Sequence, residues 1–100
     1  KPENIMIDPG FGLPKNAQQN FKLLNELHQF NGIGYPILSA LSRKSFIGEA
    51  LGGVEPTQRA VGSVAAHLLS IQQGACMVRV HDVKAMSDAI KVWQAMQLAN

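Results

Sequence analysis

The sequence has one cysteine, few aromatic residues, few charges and no long apolar run. The single thiol, Cys76, excludes an internal disulfide and fits a reducing compartment, where we expect it to be a small buried side chain. Charged residues make up 16% of the chain. Because small independent domains usually display more charge, we expect part of this surface to be covered by other protein.

The charge balance excludes further classes of partner. The formal net charge is +2, and Lys and Arg form no block, which excludes a nucleic-acid-binding surface. The apolar runs are too short to cross a bilayer, and "KPENIMIDPG" lacks the apolar segment of a signal peptide. We expect a soluble, cytoplasmic chain with no nucleic-acid or membrane partner. The start at Lys1 also leads us to expect a piece of a longer protein.

Three strand–helix units follow one another along the chain. The predicted strands are "NIMID" (4–8), "YPILSALS" (35–42) and "CMVRVHD" (76–82). Helical spacing predicts helices over 17–30, 56–74 and 83–98, and "RKSFIGEALGG" predicts a short helix closed by two glycines. The side chains expected to face the core of the three long helices are Phe21, Leu24, Leu27 and His28, then Val61, Val64, Ala65, Leu68 and Ile71, then Val83, Met86, Ile90 and Trp93.

Buried strands that alternate with helices indicate the α/β class with a parallel sheet. Three units cannot close a barrel. They fit either a small open sheet or three-eighths of a (β/α)₈ barrel, which needs roughly 250 residues.

Polar side chains follow each predicted strand. They are Asp8 after the first, residues 42–45 ("SRKS") after the second, and Arg79, His81 and Asp82 after the third. Carboxyl ends of parallel strands meet at one edge of the sheet, where ligands bind, so we expect the basic pair in the third strand to face an anion.

Each of these residues also has a plain structural interpretation. Asp8 precedes Pro-Gly and fits a turn opener. Ser42 and Asp82 fit helix N-caps, and Arg43 fits a solvated residue or an ion-pair partner. Arg79 and His81 fit a structural salt bridge less well, because a buried strand seldom tolerates both.

The segments "IDPGFGLPKN", "LSRKSFIG" and "VRVHDV", in this order, resemble the last three strand–helix units of the dihydropteroate synthase family. The resemblance covers essentially the whole chain, residues 1–100, as one partial domain. It implies the carboxyl-terminal part of a TIM (β/α)₈ barrel, units six to eight, in a transferase of folate biosynthesis that is usually dimeric. That family joins 4-aminobenzoate to 6-hydroxymethyl-7,8-dihydropterin diphosphate, releases pyrophosphate with Mg²⁺ assistance, and is the sulfonamide target.

The resemblance assigns the pterin and the catalytic roles to the same three residues. Asp8 matches the aspartate that reads the pterin, Lys44 matches the lysine near the pterin carbonyl, and Arg79 matches the arginine that packs on the pterin ring. A carboxylate suits the guanidine-like edge of the pterin, and a planar guanidinium suits both ring and phosphate.

The other roles fall on neighbouring positions. Ser45, with Lys44 and Leu13, matches the 4-aminobenzoate site, and Arg79 with His81 matches the pyrophosphate site. Two residues depart from the family pattern: Leu13 stands where a second aromatic is usual, and Ala40 where glycine is common. No metal ligand is expected in this chain, since the family's Mg²⁺ ligand lies in an earlier unit.

Two other functions remain open at this stage. A methyltetrahydrofolate-dependent corrinoid methyltransferase shares the pterin-reading aspartate but has no use for a pyrophosphate site. A non-catalytic remnant that self-associates, through the last helices or the unpaired sheet edges, fits the length. For the 100 residues alone we expect no synthase activity.

Overall fold

The computed structural model describes residues 7–11, 16–33 and 36–99. Its helices are α1 (Ala17–Asn25), α2 (Ser45–Ala50), α3 (Ala60–Gln72) and α4 (Val83–Leu98), and its strands are β1 (Ile37–Ser39) and β2 (Ala75–Val78). Two 3₁₀ turns, Leu27–Ile33 and Pro56–Gln58, lie between them. The predicted α/β class is confirmed.

The two strands are parallel, as predicted. Leu38 is paired with Met77, and Ser39 with Val78. Ile7 adds a parallel bridge on the other side of β1, where Leu38 N–H donates to the Ile7 carbonyl at 2.7 Å. Both strands are shorter than predicted, and residues 4–6 of the first predicted strand lie outside the described residues. The carboxyl ends of the three stretches therefore lie side by side.

The core lies between this sheet and the helices. Its largest members are Phe11, Phe46, Leu27, Ile37 and Leu41, each at most 1% exposed. The rings of Phe11 and Phe46 stack with centroids 6.2 Å apart. Burial of each such side chain stabilises the fold by roughly 1.5–3 kcal/mol. Phe11 follows the first strand and Phe46 lies in α2, so their contact joins two of the polar segments.

Helix α1 is shorter than predicted. It begins with a reciprocal capping box in which Asn16 Oδ1 accepts from Gln19 N–H and Gln19 Oε1 accepts from Asn16 N–H. It ends at Asn25, and the chain continues as a 3₁₀ turn. Leu24 and Leu27 are buried as predicted, whereas His28 is exposed and its Nδ1 lies 2.6 Å from Gln73 Oε1.

Helix α2 closes as its glycines predict. Gly53 N–H donates to the Gly48 carbonyl and Gly52 N–H to the Glu49 carbonyl, the two bonds of a Schellman motif. Gly52 has φ = 91°, a conformation that glycine adopts without a Cβ clash.

The prediction of which face of α3 is buried is wrong. Val61 is 84% exposed and Ala65 is exposed, while Val64, Leu68 and Ile71 are only half-buried. The buried face consists of small or polar residues at helical spacing: Ser63, Ala66, His67 and Ser70. Two of them, Ser63 and His67, accept hydrogen bonds from backbone amides of the chain after β1, which aliphatic side chains cannot do. The helix also begins at Ala60, after a separate 3₁₀ turn, and not at Pro56.

Helix α4 matches its predicted bounds. Met86 is buried, Ile90 and Trp93 are half-buried, and Lys84 pairs with Asp88 on the exposed face. Val83 is 66% exposed, because it begins the helix beyond the end of the sheet. No helix among the described residues is both long enough and apolar enough to span a membrane.

Cys76 is exposed, contrary to the prediction of a buried thiol. It lies in β2, whose only strand neighbour among the described residues is β1, so side chains near its free edge lack a covering strand. The thiol lies 3.7 Å from the Ile37 carbonyl.

His67 makes stability depend on pH. It is 1% exposed, and its Nε2 accepts a hydrogen bond from Leu41 N–H at 3.1 Å. Burial lowers the pKa of His67 from 6.5 to about 4, and the carbonyls of Ser63 and Ser39 oppose that shift only in part. Between these pH values the unfolded chain binds the proton and the folded chain does not.

We therefore predict that the free energy of unfolding falls as pH decreases from 6.5 to about 4, by up to roughly 3 kcal/mol. Urea unfolding of the chain at stepped pH measures this loss. A His67→Gln variant, which cannot titrate but keeps an acceptor, should lose most of the slope. An equal slope in both proteins would contradict the assignment.

Candidate functional site

Polar side chains from all three strand ends surround one cavity of about 170 Å³. We call it the basic cavity, and its lining residues are Asp8, Ala40, Ser42, Lys44, Arg79 and His81. The cavity brings together four residues that were predicted to meet at one edge of the sheet: Asp8, Lys44, Arg79 and His81. Ala40, at the end of β1, forms part of the cavity wall.

Asp8 combines a turn-opening and a cavity-facing position. Its Oδ1 accepts from Gly10 N–H at 2.9 Å, which forms an Asx turn, and Gly10 has φ = 83°. The side chain is exposed and reaches the basic cavity. The turn therefore orients the carboxylate, and both interpretations of Asp8 hold together.

Lys44 is the half-buried cation of the cavity. Its Nζ donates to the Phe11 carbonyl at 2.7 Å. This bond links the loop after β1 to the loop that follows the Ile7 bridge. Desolvation lowers the pKa of Lys44, the Asp8 carboxylate raises it, and the Arg79 guanidinium lowers it. The opposite signs follow from the charges of the two neighbours.

Ser42 contacts His81 and does not cap a helix, contrary to the prediction. Its Oγ lies 2.8 Å from His81 Nδ1 and accepts from His81 N–H at 3.0 Å. Helix α2 begins three residues later, at Ser45, with Lys44 at the N-cap position and no side-chain cap. Ser42 is too far before the helix to reach its first amides, so it joins the second and third strand ends instead.

Arg43 and Asp82 form an ion pair beside the cavity. Arg43 Nη2 lies 2.6 Å from Asp82 Oδ1, and Arg43 Nε donates to Asp82 Oδ2 at 3.2 Å. This bidentate contact raises the pKa of Arg43 and lowers that of Asp82. Asp82 occupies the N-cap position of α4 without a side-chain cap bond, because its carboxylate is used by Arg43. The ion-pair interpretation of Arg43 is thus confirmed.

Arg79 and His81 lie after the last residue of β2, and their side chains line the cavity. Strand β2 ends at Val78, and Arg79 N–H still donates to the Ser39 carbonyl at 2.9 Å. Both side chains are exposed and line the cavity. The two basic groups therefore avoid burial in the core, and they face the same space as Lys44.

One predicted site residue that the structure describes does not line the cavity. Ser45 is the exposed first residue of α2 and is absent from the cavity wall. Leu13 lies outside the described residues. The predicted 4-aminobenzoate site is thus represented here by Lys44 alone.

The arrangement suits an anion next to a polar ring. Lys44 and Arg79 supply positive charge, His81 supplies an imidazole, and Asp8 supplies a carboxylate acceptor. Over the described ranges, no three His, Cys, Asp or Glu side chains are grouped so as to hold a metal ion. The side chains that line the cavity can recognise a ligand by charge and by hydrogen bonds.

Sequence reasoning missed the residues that support the cavity from below. Ser63 Oγ accepts from Arg43 N–H at 2.7 Å, His67 Nε2 accepts from Leu41 N–H, and Arg59 Nη1 donates to the Arg43 carbonyl at 2.9 Å. The sequence does contain a pattern that indicates them, since Ser63, His67 and Ser70 recur at the spacing of one helical face. Hydropathy favours the adjacent aliphatic residues as the buried face instead.

A model of the pterin-binding enzyme family matches residues 1–81, which include every residue that lines the basic cavity. The chain belongs to the pterin-binding enzyme family. The dihydropteroate synthase of Haemophilus influenzae is 52% identical over 96 residues, covering 95% of this chain and 34% of that protein. The chain thus spans about a third of the length of the curated relatives it matches.

Solved structures of dihydropteroate synthases also resemble this chain over about a third of their length. Dihydropteroate synthase of Xanthomonas albilineans with 4-aminobenzoic acid superposes with a TM-score of 0.93 at 52% identity, over 95% of this chain and 35% of that one. The complex of the same enzyme with 7,8-dihydropteroate has a TM-score of 0.92, also at 52% identity, over 95% and 36%. The fold of this chain is therefore that of the matching part of those enzymes.

We predict that the two charged neighbours shift the Lys44 pKa in opposite directions. Replacement Asp8→Asn should lower the Lys44 pKa further, and Arg79→Met should raise it, because they remove an attractive and a repulsive charge. NMR of ¹³C-labelled lysine in the folded chain measures both shifts, with exposed Lys22 as the internal control. A Lys44 resonance insensitive to both replacements would separate these side chains in space.

Proposed function

We propose that this chain forms the pterin- and pyrophosphate-facing third of a dihydropteroate synthase. The reaction would join 6-hydroxymethyl-7,8-dihydropterin diphosphate and 4-aminobenzoate into 7,8-dihydropteroate and pyrophosphate. The observation that carries the proposal is the basic cavity, where a carboxylate faces two fixed cations and an imidazole. Relatives named dihydropteroate synthase at 43–52% identity support it.

The proposed substrate contacts follow from the chemistry of the lining. The Asp8 carboxylate would accept two hydrogen bonds from the amino-pyrimidine edge of the pterin. Lys44 would donate to the pterin carbonyl, and its lowered pKa fits an amine that gives up part of its hydration. The planar Arg79 guanidinium would stack on the pterin ring and contact phosphate oxygens.

The proposed reaction needs no protein nucleophile. The methylene carbon–oxygen bond of the pterin breaks, and its electron pair leaves with pyrophosphate. The lone pair of the 4-aminobenzoate nitrogen then forms the new carbon–nitrogen bond, and that nitrogen loses a proton. Arg79 and His81 would stabilise the leaving pyrophosphate, which is where negative charge accumulates.

The 4-aminobenzoate site is proposed to include Ser45, Lys44 and Leu13. Lys44 lies in the cavity wall, and Ser45 is exposed at the start of α2, next to Lys44. One similar enzyme of solved structure holds 4-aminobenzoic acid, which supports this ligand for the family.

The fold we propose for the complete protein is a TIM barrel in which residues 1–100 are units six to eight. Three adjacent parallel stretches, each followed by a helix, support that position. The structural relatives are about three times as long as this chain. Five further units would then complete the pocket, and the 100 residues alone should not turn over substrate.

Magnesium is proposed to meet this site through substrate and through a ligand from another unit. Among the described residues, no three His, Cys, Asp or Glu side chains are grouped so as to hold a metal ion by themselves. Mg²⁺ commonly binds through substrate phosphates and one or two protein ligands. The basic cavity would then hold the pyrophosphate side of that assembly.

A homodimer through the last helices is also proposed. Val92 and Met96, one turn apart on α4, are 73% and 60% exposed. A second copy of the chain could cover these neighbouring apolar side chains. A cytoplasmic location is proposed as well, because the exposed free thiol of Cys76 fits a reducing compartment.

A chimera tests the proposed activity. When this chain replaces the segment it matches in the Haemophilus influenzae enzyme, we expect dihydropteroate formation. Lys44→Gln or Arg79→Met in the chimera should lower kcat/KM by roughly 10²-fold or more, because each removes a charge from the reacting groups. Product formation is followed by chromatography.

The exposed helical lysine supplies the matched control, since Lys22→Gln makes the same chemical change away from the cavity. It should leave kcat/KM unchanged. A folded chimera without activity, or Lys44 and Lys22 variants of equal activity, would contradict the proposed roles.

We predict that acidic substitutions at two exposed apolar positions of α4 dissociate the dimer. Val92→Glu and Met96→Glu place a charge where the second copy would bury an apolar side chain. Lys91→Glu, at an exposed position of the same helix that is already charged, is the control. Sedimentation equilibrium should show a dimer for wild type and Lys91→Glu and a monomer for the other two; a wild-type monomer at all concentrations would exclude the dimer.

A further inference from the structure

The loop formed by residues 40–44, which carries Lys44 into the basic cavity, is held by side chains from another element. Arg43 has φ = 57°, the only positive φ outside glycine among the described residues. That conformation is unfavourable for a residue with a Cβ and persists only where surrounding contacts hold it. The structure shows which contacts these are.

Helix α3 supplies the acceptors for two backbone amides of this loop. Ser63 Oγ accepts from Arg43 N–H at 2.7 Å, and His67 Nε2 accepts from Leu41 N–H at 3.1 Å. Ser63 is 2% exposed and His67 1% exposed, so neither contact competes with solvent. Lys44 N–H donates to the Leu41 carbonyl at 3.2 Å within the loop, whereas the Arg43 and Leu41 amides depend on the side chains of α3.

A third contact closes the network. Arg59, the residue before α3, donates from Nη1 to the Arg43 carbonyl at 2.9 Å and from Nε to the Val54 carbonyl at 3.0 Å. Its own carbonyl accepts from Ser63 Oγ at 2.7 Å. The guanidinium packs directly on Gly48, where an added Cβ would collide with Arg59 Nε. Both sides of the Arg43 peptide are therefore fixed to the start of α3.

We propose that Ser63 and His67 are positioning residues, which act through the backbone of the 40–44 loop to aim the Lys44 ammonium into the basic cavity. Neither side chain lines the cavity. The inference rests on the proposed function only for the ligand that Lys44 meets. The geometry of the loop and the position of Lys44 stand without it.

The arrangement also requires one form of His67. Nε2 accepts from Leu41 N–H, so the neutral ring carries its proton on Nδ1. A protonated ring would present an N–H to the Leu41 N–H and lose the contact. The charged group nearest to this ring is Lys44, whose positive charge disfavours the imidazolium further.

Two matched pairs of variants of this chain separate positioning from stability. Ser63→Ala removes the acceptor for Arg43 N–H, while Ser70→Ala removes an equally buried hydroxyl of the same helix face that bonds to the His67 carbonyl and not to the loop. His67→Leu removes the acceptor for Leu41 N–H, while His67→Gln keeps an acceptor of similar reach.

The first measurement is the Lys44 pKa by NMR of ¹³C-labelled lysine in each folded variant. We expect Ser63→Ala and His67→Leu to move it back toward its ordinary value, because a loosened loop returns the ammonium to water. Ser70→Ala and His67→Gln should leave it as in wild type. If His67→Leu does not fold, the Ser63 and Ser70 pair decides.

The second measurement is the dissociation constant of inorganic pyrophosphate by calorimetry. We expect it to rise roughly fivefold in Ser63→Ala and His67→Leu, the effect of one misplaced hydrogen bond. A Lys44 pKa that stays at the wild-type value in folded Ser63→Ala and His67→Leu overturns the positioning role. If the variants shift the Lys44 pKa but the wild-type chain does not bind pyrophosphate, the positioning role is supported and the proposed function is contradicted.

Discussion

The conformation of Arg43 is the constraint on which the rest of the site depends. The left-handed Arg43 lies four positions after the last residue of β1, between Ser42, which contacts His81, and Lys44, which donates to the Phe11 carbonyl. Such a residue costs on the order of 1–3 kcal/mol. The cost is offset on three sides: by Ser63 on its amide, Arg59 on its carbonyl, and Asp82 on its side chain. The site therefore exists because α3 presents a polar face to this loop.

Electrostatics explain why the basic groups lie at the edge of the sheet. An unpaired guanidinium inside the core would cost several kcal/mol, so Arg79 and His81 follow the last residue of β2 into an open cavity. Arg43, by contrast, is neutralised by Asp82. The cavity thus keeps positive charge that no carboxylate of its own fully balances, and this surplus is what a pyrophosphate group would meet.

The sequence predicted the elements and the convergence of the site better than the buried faces. Parallel strands followed by helices imply that Asp8, Lys44, Arg79 and His81 meet, and topology alone decides that result. The buried face of α3 depends instead on how closely the helix approaches a loop, which hydropathy does not encode. The hydropathy pattern therefore predicts Val61 on the buried face, where the structure has Ser63 and His67. Ser42 was assigned as a cap because local rules ignore the distant His81.

One measurement tests the central claim that these strand ends form an anion site. The ¹⁵N-labelled chain is titrated with inorganic pyrophosphate, and backbone amide shifts are followed by NMR. We expect the amide shifts to change most at Ser42, Lys44, Arg79 and His81, with little change along α4. Saturable perturbations centred instead on the separate cavity between α1 and α3, around Phe21 and Gln73, or no perturbation at all, would contradict it.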